Sequence, residues 1–269
     1  MAAVRLASGG GPERRSRPLR ELSRAIDIVT ARSASSGPSA GRAMDFAAAW
    51  SRPLFDRVHP FGARVQPLSP SSETQLAAIV AMGKELLVGT DKTRRTRPHQ
   101  NDLSVVVWVT VGDVAMLLAS DLENTRQPGM GWTAILSDAA QANLGRADMY
   151  KVAHHGSAGA DDPRVWAELL VEHPPALVAP WQFPEGSANY LPQQGDVDRL
   201  CSRAGEVWIT APPPVPGVED PYQHGGPPLV PDEVHEISYE CGRVTFRRDA
   251  TGPGPWWRDH QPPAYAPCH

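Results

Sequence analysis

The chain has 269 residues, 41 % hydrophobic and 21 % charged, enough apolar material for one large or two small globular domains. Its formal net charge is −4, so bulk charge gives no support to a nucleic-acid partner. No apolar run reaches about 18 residues and the N-terminus lacks the apolar core of a secretory signal, so neither a membrane span nor export is expected.

Residues 1–44 are rich in Ala, Arg, Ser and Gly and read as a flexible segment. Within it, Leu19, Leu22, Ile26 and Val29 share the helical spacing of a short helix. Arg5, Arg14, Arg15, Arg17, Arg20 and Arg24 among serines have the composition of a transit peptide, but Arg and Ala bias runs through the whole chain. Residues 45–249 read as the main domain. "VQPLSP" (65–70) is a short strand ending in prolines. Ser72, three residues before Gln75, has a capping-box pattern ahead of "TQLAAIVAMGKELL" and predicts a helix. A basic loop with Arg94, Arg95 and Arg97 follows, able to touch phosphates.

"LSVVVWVTV" and "VAMLLASD", separated by Gly112-Asp113, predict a hairpin. Both runs are almost continuously apolar, as in strands covered on both faces. A helix over 133–144 and a strand over 149–153 come next. Asp161 or Asp162 caps a further helix with Pro163 at its first position, and Val165, Trp166, Leu169 and Leu170 form its apolar face. Strand 175–180, helix 193–203 and strand 206–210 complete the alternation, which implies a layered α/β fold. "HEISYE" and "RVTFRRD" read as a hairpin around Cys241-Gly242. Residues 250–269 form a Pro- and Trp-rich tail, with Trp256-Trp257 as an exposed or docking element. Cys201, Cys241 and Cys268 are odd in number, far apart and without a CxxC. That spacing argues against a disulfide framework and a cysteine zinc site, makes Cys201 an inert helix residue, and fits a reducing, cytoplasmic location.

The chemistry-bearing residues fall at strand ends. Asn101 and Ser104 open the first hairpin strand, Asp121 ends the second in "LLASDLE", and His154 and His155 end the next in "KVAHHGS". Asp and His together suit zinc or manganese, and a metal so held lowers the pKa of bound water and supplies a hydroxide nucleophile. His99 or Asp102 could help to hold such a metal, although no spacing pattern points to either. His59, His173, His224, His235 and His269 carry no usable pattern.

The order N-x-x-S, apolar hairpin, L-L-x-[GS]-D-x-E, helix, [LY]-K-V-x-H-H-G-S resembles the second half of a metallo-β-lactamase-fold hydrolase, in the variety found at the C-terminal end of the competence protein ComEC and in free-standing relatives. The resemblance covers roughly residues 64–211. It implies an α/β fold of the metallo-β-lactamase-like αββα sandwich type, incomplete and mainly its C-terminal half. It also implies Asp121 as the metal-bridging aspartate and one of His154 and His155 as the late metal ligand. The other histidine, or Ser157, would orient substrate or ligand, with Asn101 and Ser104 as the polar pair opening the hairpin. The family's H-x-H-x-D-H motif is absent from the chain, Ser120 stands where a glycine is usual, and Leu191-Pro192 stands where His-Pro is frequent. Three expectations follow. One is a zinc- or manganese-dependent hydrolase of a phosphodiester or similar ester, with Asp121, His154 and His155 as catalytic and metal residues and Ser157 and Asn101 on substrate. Another is a non-catalytic interaction scaffold with a degenerate site. The third is a split hydrolase whose partner polypeptide supplies the missing half; a start codon upstream of Met1 would supply it equally.

Overall fold

Gly112 and Asp113 turn the chain between β3 (Val107–Val111) and β4 (Val114–Leu118), which pair antiparallel with Val111 opposite Val114. Gly112 has φ +57, and a Cβ there would lie 2.1 Å from the Ala250 carbonyl oxygen, so the turn requires glycine. In this computed structural model the described residues are 47–50, 52–58, 62–87, 100–125, 127–182, 190–211, 242–252 and 254–268. The expected helix over 19–31, the arginines of the 94–97 loop, His59, His99, His224, His235, Cys241, His269 and the "HEISYE" run lie outside them.

Around this hairpin one seven-stranded mixed sheet forms. β1 (Phe55–Arg57), β2 (Ala63–Pro67), β3 and β4 are antiparallel neighbours. β5 (Met149–Lys151), β6 (Pro175–Val178) and β9 (Glu206–Ile209) continue the sheet in parallel with β4. Two further short strands, β7 (Trp181–Gln182) and β8 (Tyr190–Leu191), pair with each other beside it. Leu117, Tyr150, Ala176 and Val207 stand opposite one another across β4, β5, β6 and β9, none more than 2 % exposed. They join Trp132 and Ile135 of the helix Gly131–Ala142 in one core. The sheet therefore bears out the α/β reading; β5, β6 and β9 end one or two residues short of the sequence expectation, β2 and β4 end three short, and β3 starts at Val107 rather than Leu103. β3 and β4 depart from it in a further respect. Trp108, Val114 and Leu117 are buried, but their alternating neighbours are only half-buried, so the second face is covered in part.

Among the described residues three α-helices accompany the sheet: α1 (Ser72–Leu87), α2 (Gly131–Ala142) and α3 (Gln194–Cys201). Ser71, not Ser72, caps α1, because its Oγ accepts the Thr74 amide at 3.2 Å. The Gln75 side chain reaches back to the Pro70 carbonyl. The helix expected after Asp162 is a π-turn over Val165–Leu169 that still buries Val165, Leu169 and Leu170. The Asp162 carboxylate accepts the Arg164 amide at 2.9 Å at its start.

The tail is tied in. β10 (Arg243–Arg247) pairs with β11 (Trp257–Gln261), so the "RVTFRRD" strand finds its partner downstream. Arg248 holds this hairpin to the sheet through Asp148 at 2.8 Å. Trp257 is exposed as expected, whereas Trp256 sits under Arg248 and edge-on to Phe246. Tyr265 exchanges both backbone hydrogen bonds with Ile209, at 2.9 and 3.0 Å. Cys268 then forms a disulfide with Cys201. This overturns the reading of unpaired cysteines, and with it their support for a reducing compartment. The two are 67 positions apart, and only the return of the tail to α3 brings them together. Among the described residues no helix is long and apolar enough to cross a membrane.

The bridge closes a loop long enough that its loss is worth on the order of 4 kcal/mol in chain entropy. Cys268→Ser is expected to lower the thermal unfolding midpoint by several degrees, and dithiothreitol to lower that of the wild type but not of the variant. Equal midpoints for wild type and variant would show the pairing to be absent in solution.

Candidate functional site

Parallel strands end on the same side of a sheet, and that is where open α/β sheets collect polar side chains. Here β4, β5 and β6 deliver Asp121, the His154-His155 turn and Ala179 to one edge. β3 runs the other way, so the 3-10 turn before it (Gln100–Leu103) brings Asn101 to the same edge. Backbone bonds continue beyond the strands. Ala119 donates to Lys151 at 3.1 Å and His154 to Ser120 at 2.9 Å.

The turn after β5 is bent unusually. His154, His155 and Gly156 have φ of 40°, 56° and 84°, three left-handed residues in a row. For the two histidines such a backbone costs on the order of 1–3 kcal/mol each and needs support from its surroundings. Arg199 of α3 supplies it, donating from Nη2 to the Gly156 carbonyl at 2.6 Å. The same guanidinium pairs with Asp161 at 2.9 Å and Asp196 at 2.7 Å. Asp161 also receives Arg203 and the Trp166 indole N–H. A Cβ on Gly156 would press on Leu200 and Pro192 at 3.2 and 3.3 Å, so the turn lies close against α3 and the chain before it.

This backbone sends the two rings apart. His155 donates from Nδ1 to the Ala179 carbonyl at 2.8 Å, and its Nε2 stands 3.5 Å from Oδ1 of Asp121. Trp181, about half exposed, stacks on the His155 ring at 5.5 Å and 26°. His154 turns to a second group. Its Nδ1 is 3.1 Å from Ser157 Oγ and 3.6 Å from Glu123 Oε1. Its Nε2 is 3.4 Å from Asn101 Nδ2, and Asn101 in turn donates to Glu123.

Asp121 and His155 are thus one pair; Asn101, Glu123, His154 and Ser157 are a second group beside it. Ser104 contributes its carbonyl to the Ser69 hydroxyl, a structural contact. Glu123 stood in the D-x-E motif without a role, and two-residue spacing from Asp121 was its only signal. Lys151 was also missed. Burial holds its ammonium below the usual lysine range, while the charge of Asp121 partly offsets the shift. Its Nζ donates to the Val152 carbonyl. Asp102 lies on the 3-10 turn with Asn101. Among the described residues no three His, Cys, Asp or Glu side chains converge as a metal-holding group.

No protein-family model, curated protein or solved structure matches the chain.

Because Arg199 holds the strained turn and two carboxylates at once, Arg199→Met is expected to cost about 2 kcal/mol or more of unfolding free energy. Urea denaturation measures it. A loss below about 0.5 kcal/mol would mean that the turn keeps its conformation without this side chain.

Proposed function

We propose that this edge belongs to a metal-dependent hydrolase of metallo-β-lactamase type. More particularly, we read it as the ligand edge of a hydrolase domain like that of ComEC, acting on a phosphodiester or similar ester, with Asp121 and His155 as ligands for zinc or manganese. The observation that carries the reading is the orientation of His155. With Nδ1 spent on the Ala179 carbonyl, a neutral ring turns the lone pair of Nε2 toward a carboxylate. Two electron-pair donors face one another, an arrangement that a shared cation satisfies. Two donors on one tetrahedral zinc stand about 3.3 Å apart, given bond lengths near 2.0–2.1 Å; the distance here is 3.5 Å. A backbone carbonyl on the far nitrogen is also the usual support for a metal-bound histidine. The α/β sheet and the chain order of Asn101, Asp121 and the histidine turn accord with the motif order of that family.

A metal held there supplies Lewis acidity and acidifies bound water. The chain's own residues do the rest. Trp181 covers one face of His155, and Ser157, Asn101 and Glu123 hold His154 at the rim, where substrate would meet it. Catalytic zinc sites take three protein ligands, and Asp121 and His155 are two. The remaining ligands would come from a partner polypeptide carrying the missing motif.

A second reading, a non-catalytic scaffold that keeps the sheet and binds a partner, is favoured by one observation: no third ligand converges among the described residues.

The two separate by metal content. Plasma mass spectrometry of purified wild type is expected to find near-stoichiometric zinc or manganese. Asp121→Ala and His155→Ala lose it, while His154→Ala retains it. Hydrolysis of bis(p-nitrophenyl) phosphate falls to background in the first two, with unfolding midpoints kept. A wild-type protein that stays metal-free after dialysis against zinc and manganese overturns the hydrolase reading and leaves the scaffold.

A further inference from the structure

α1 turns its apolar stripe away from the protein. Leu76, Ile79 and Val80 follow one another at i, i+3 and i+4, so they share one face of the helix. They are 62 %, 60 % and 46 % exposed. The opposite face carries Thr74 and Ala78, and both are buried. The Thr74 hydroxyl is within 2.9 Å of the Ser71 hydroxyl there. A helix that serves only the core of its own chain presents its large apolar side chains to that core. Here a small residue and a hydroxyl face inward and the branched aliphatic residues face water.

The exposure does not end at the helix. α1 packs against the 3-10 turn Gln100–Leu103, and Leu103 and Val105 on that segment are exposed as well. Val105 is turned out because the next residue, Val106, is fully buried, with its amide donating to the Ser69 hydroxyl at 2.8 Å. Apolar side chains gathered on one face to a few hundred Å² mark a surface that another molecule covers.

The charge pattern of the helix selects the occupant. Glu73, which is exposed, stands in the first turn, and Lys84 comes eleven positions later in the sequence. Eleven residues are three turns to within about 20°, so the two positions fall on one line along the helix, at the border of the apolar stripe. Two such helices laid antiparallel bring position 73 of each to position 84 of the other. Opposite charges then meet at both ends of a seam whose middle is apolar. Ala77, small and exposed, lets the two backbones approach. A patch that complements itself in this way is what a two-fold interface requires. A lipid surface is matched less well, because the helix carries one lysine against two glutamates, Glu73 and Glu85.

We propose that the outer face of α1 joins two copies of this chain, antiparallel, with Leu76, Ile79 and Val80 in the seam. The pairing stands independently of the hydrolase reading, because none of these residues belongs to the Asp121 edge.

Sedimentation velocity of the full chain tests it. The expected result is a dimer at tens of micromolar. Ile79→Glu places a carboxylate in the seam and weakens the dimer about tenfold or more, while the unfolding midpoint of the monomer is kept because the side chain is exposed. Glu73→Lys and Lys84→Glu each weaken it several-fold, and the double variant Glu73→Lys/Lys84→Glu recovers the wild-type affinity. A wild type that stays monomeric at about 100 µM overturns the proposal; if that monomer floats with phosphatidylcholine vesicles, the face belongs to a lipid surface instead. A dimer untouched by Ile79→Glu overturns it by placing the interface elsewhere. Single charge variants that dimerise as wild type does, or a double variant that is not restored, overturn the antiparallel arrangement.

Discussion

The amide of His154 donates to the carbonyl of Ser120, one step beyond the last paired residues of β4 and β5. That bond carries the register of the parallel strands into two loops that would otherwise be independent. It sets the residue after Ser120, Asp121, opposite the histidine turn. Without it, neither the carboxylate–imidazole pair nor the neighbouring Glu123 group would be assembled, since each draws one member from either loop. The left-handed backbone then divides the labour. In an extended strand His154 and His155 would simply alternate across the sheet. Here one ring meets Asp121 and the other meets Glu123 and Ser157, and Arg199 holds the conformation that separates them.

Much of this was legible because it rests on local rules. A Gly-Asp pair between apolar runs can do little but turn, and β3 and β4 followed. The alternation of strands and helices from 103 to 210 was enough for a parallel sheet, and a parallel sheet is enough to place Asp121 and the histidines at one edge. The choice between His154 and His155 was not legible. It depends on a non-glycine φ above zero at three-residue scale, which residue type does not announce. Ser71 and Ser72 are equally good caps by composition, and one phase step of the helix decided between them. The Cys201–Cys268 pairing was hidden for a different reason. It depends on where a tail lands after many intervening residues, and spacing in sequence carries no information about that. The pairing of "RVTFRRD" with Trp257–Gln261 was hidden by the same blindness to the tail's return.

The sheet thus carries two chemistries of opposite sign. Its strand-end edge gathers Asp121 and Glu123 with two imidazoles, a set of electron-pair donors. Its β2–β3 face carries the Arg64 guanidinium and the Trp108 indole. Charge segregation of this kind costs little where each group keeps contact with water, and Asp121, Glu123 and Arg64 all do.

The tail has a consequence for how the sheet meets other chains. A strand at the border of a sheet offers unpaired N–H and C=O groups to any extended segment that approaches. On the β9 side Tyr265 takes that position, pinned by the bridge between Cys201 and Cys268. On the other side β1 is the terminal strand, with the side chains of Phe55 and Val58 in solvent. Among the described residues, then, Tyr265 bridges one border at Ile209 and no strand pairs with the other side of β1. Extension by a strand from a second molecule has a single direction in which to proceed among the described residues, and it begins at Phe55–Arg57.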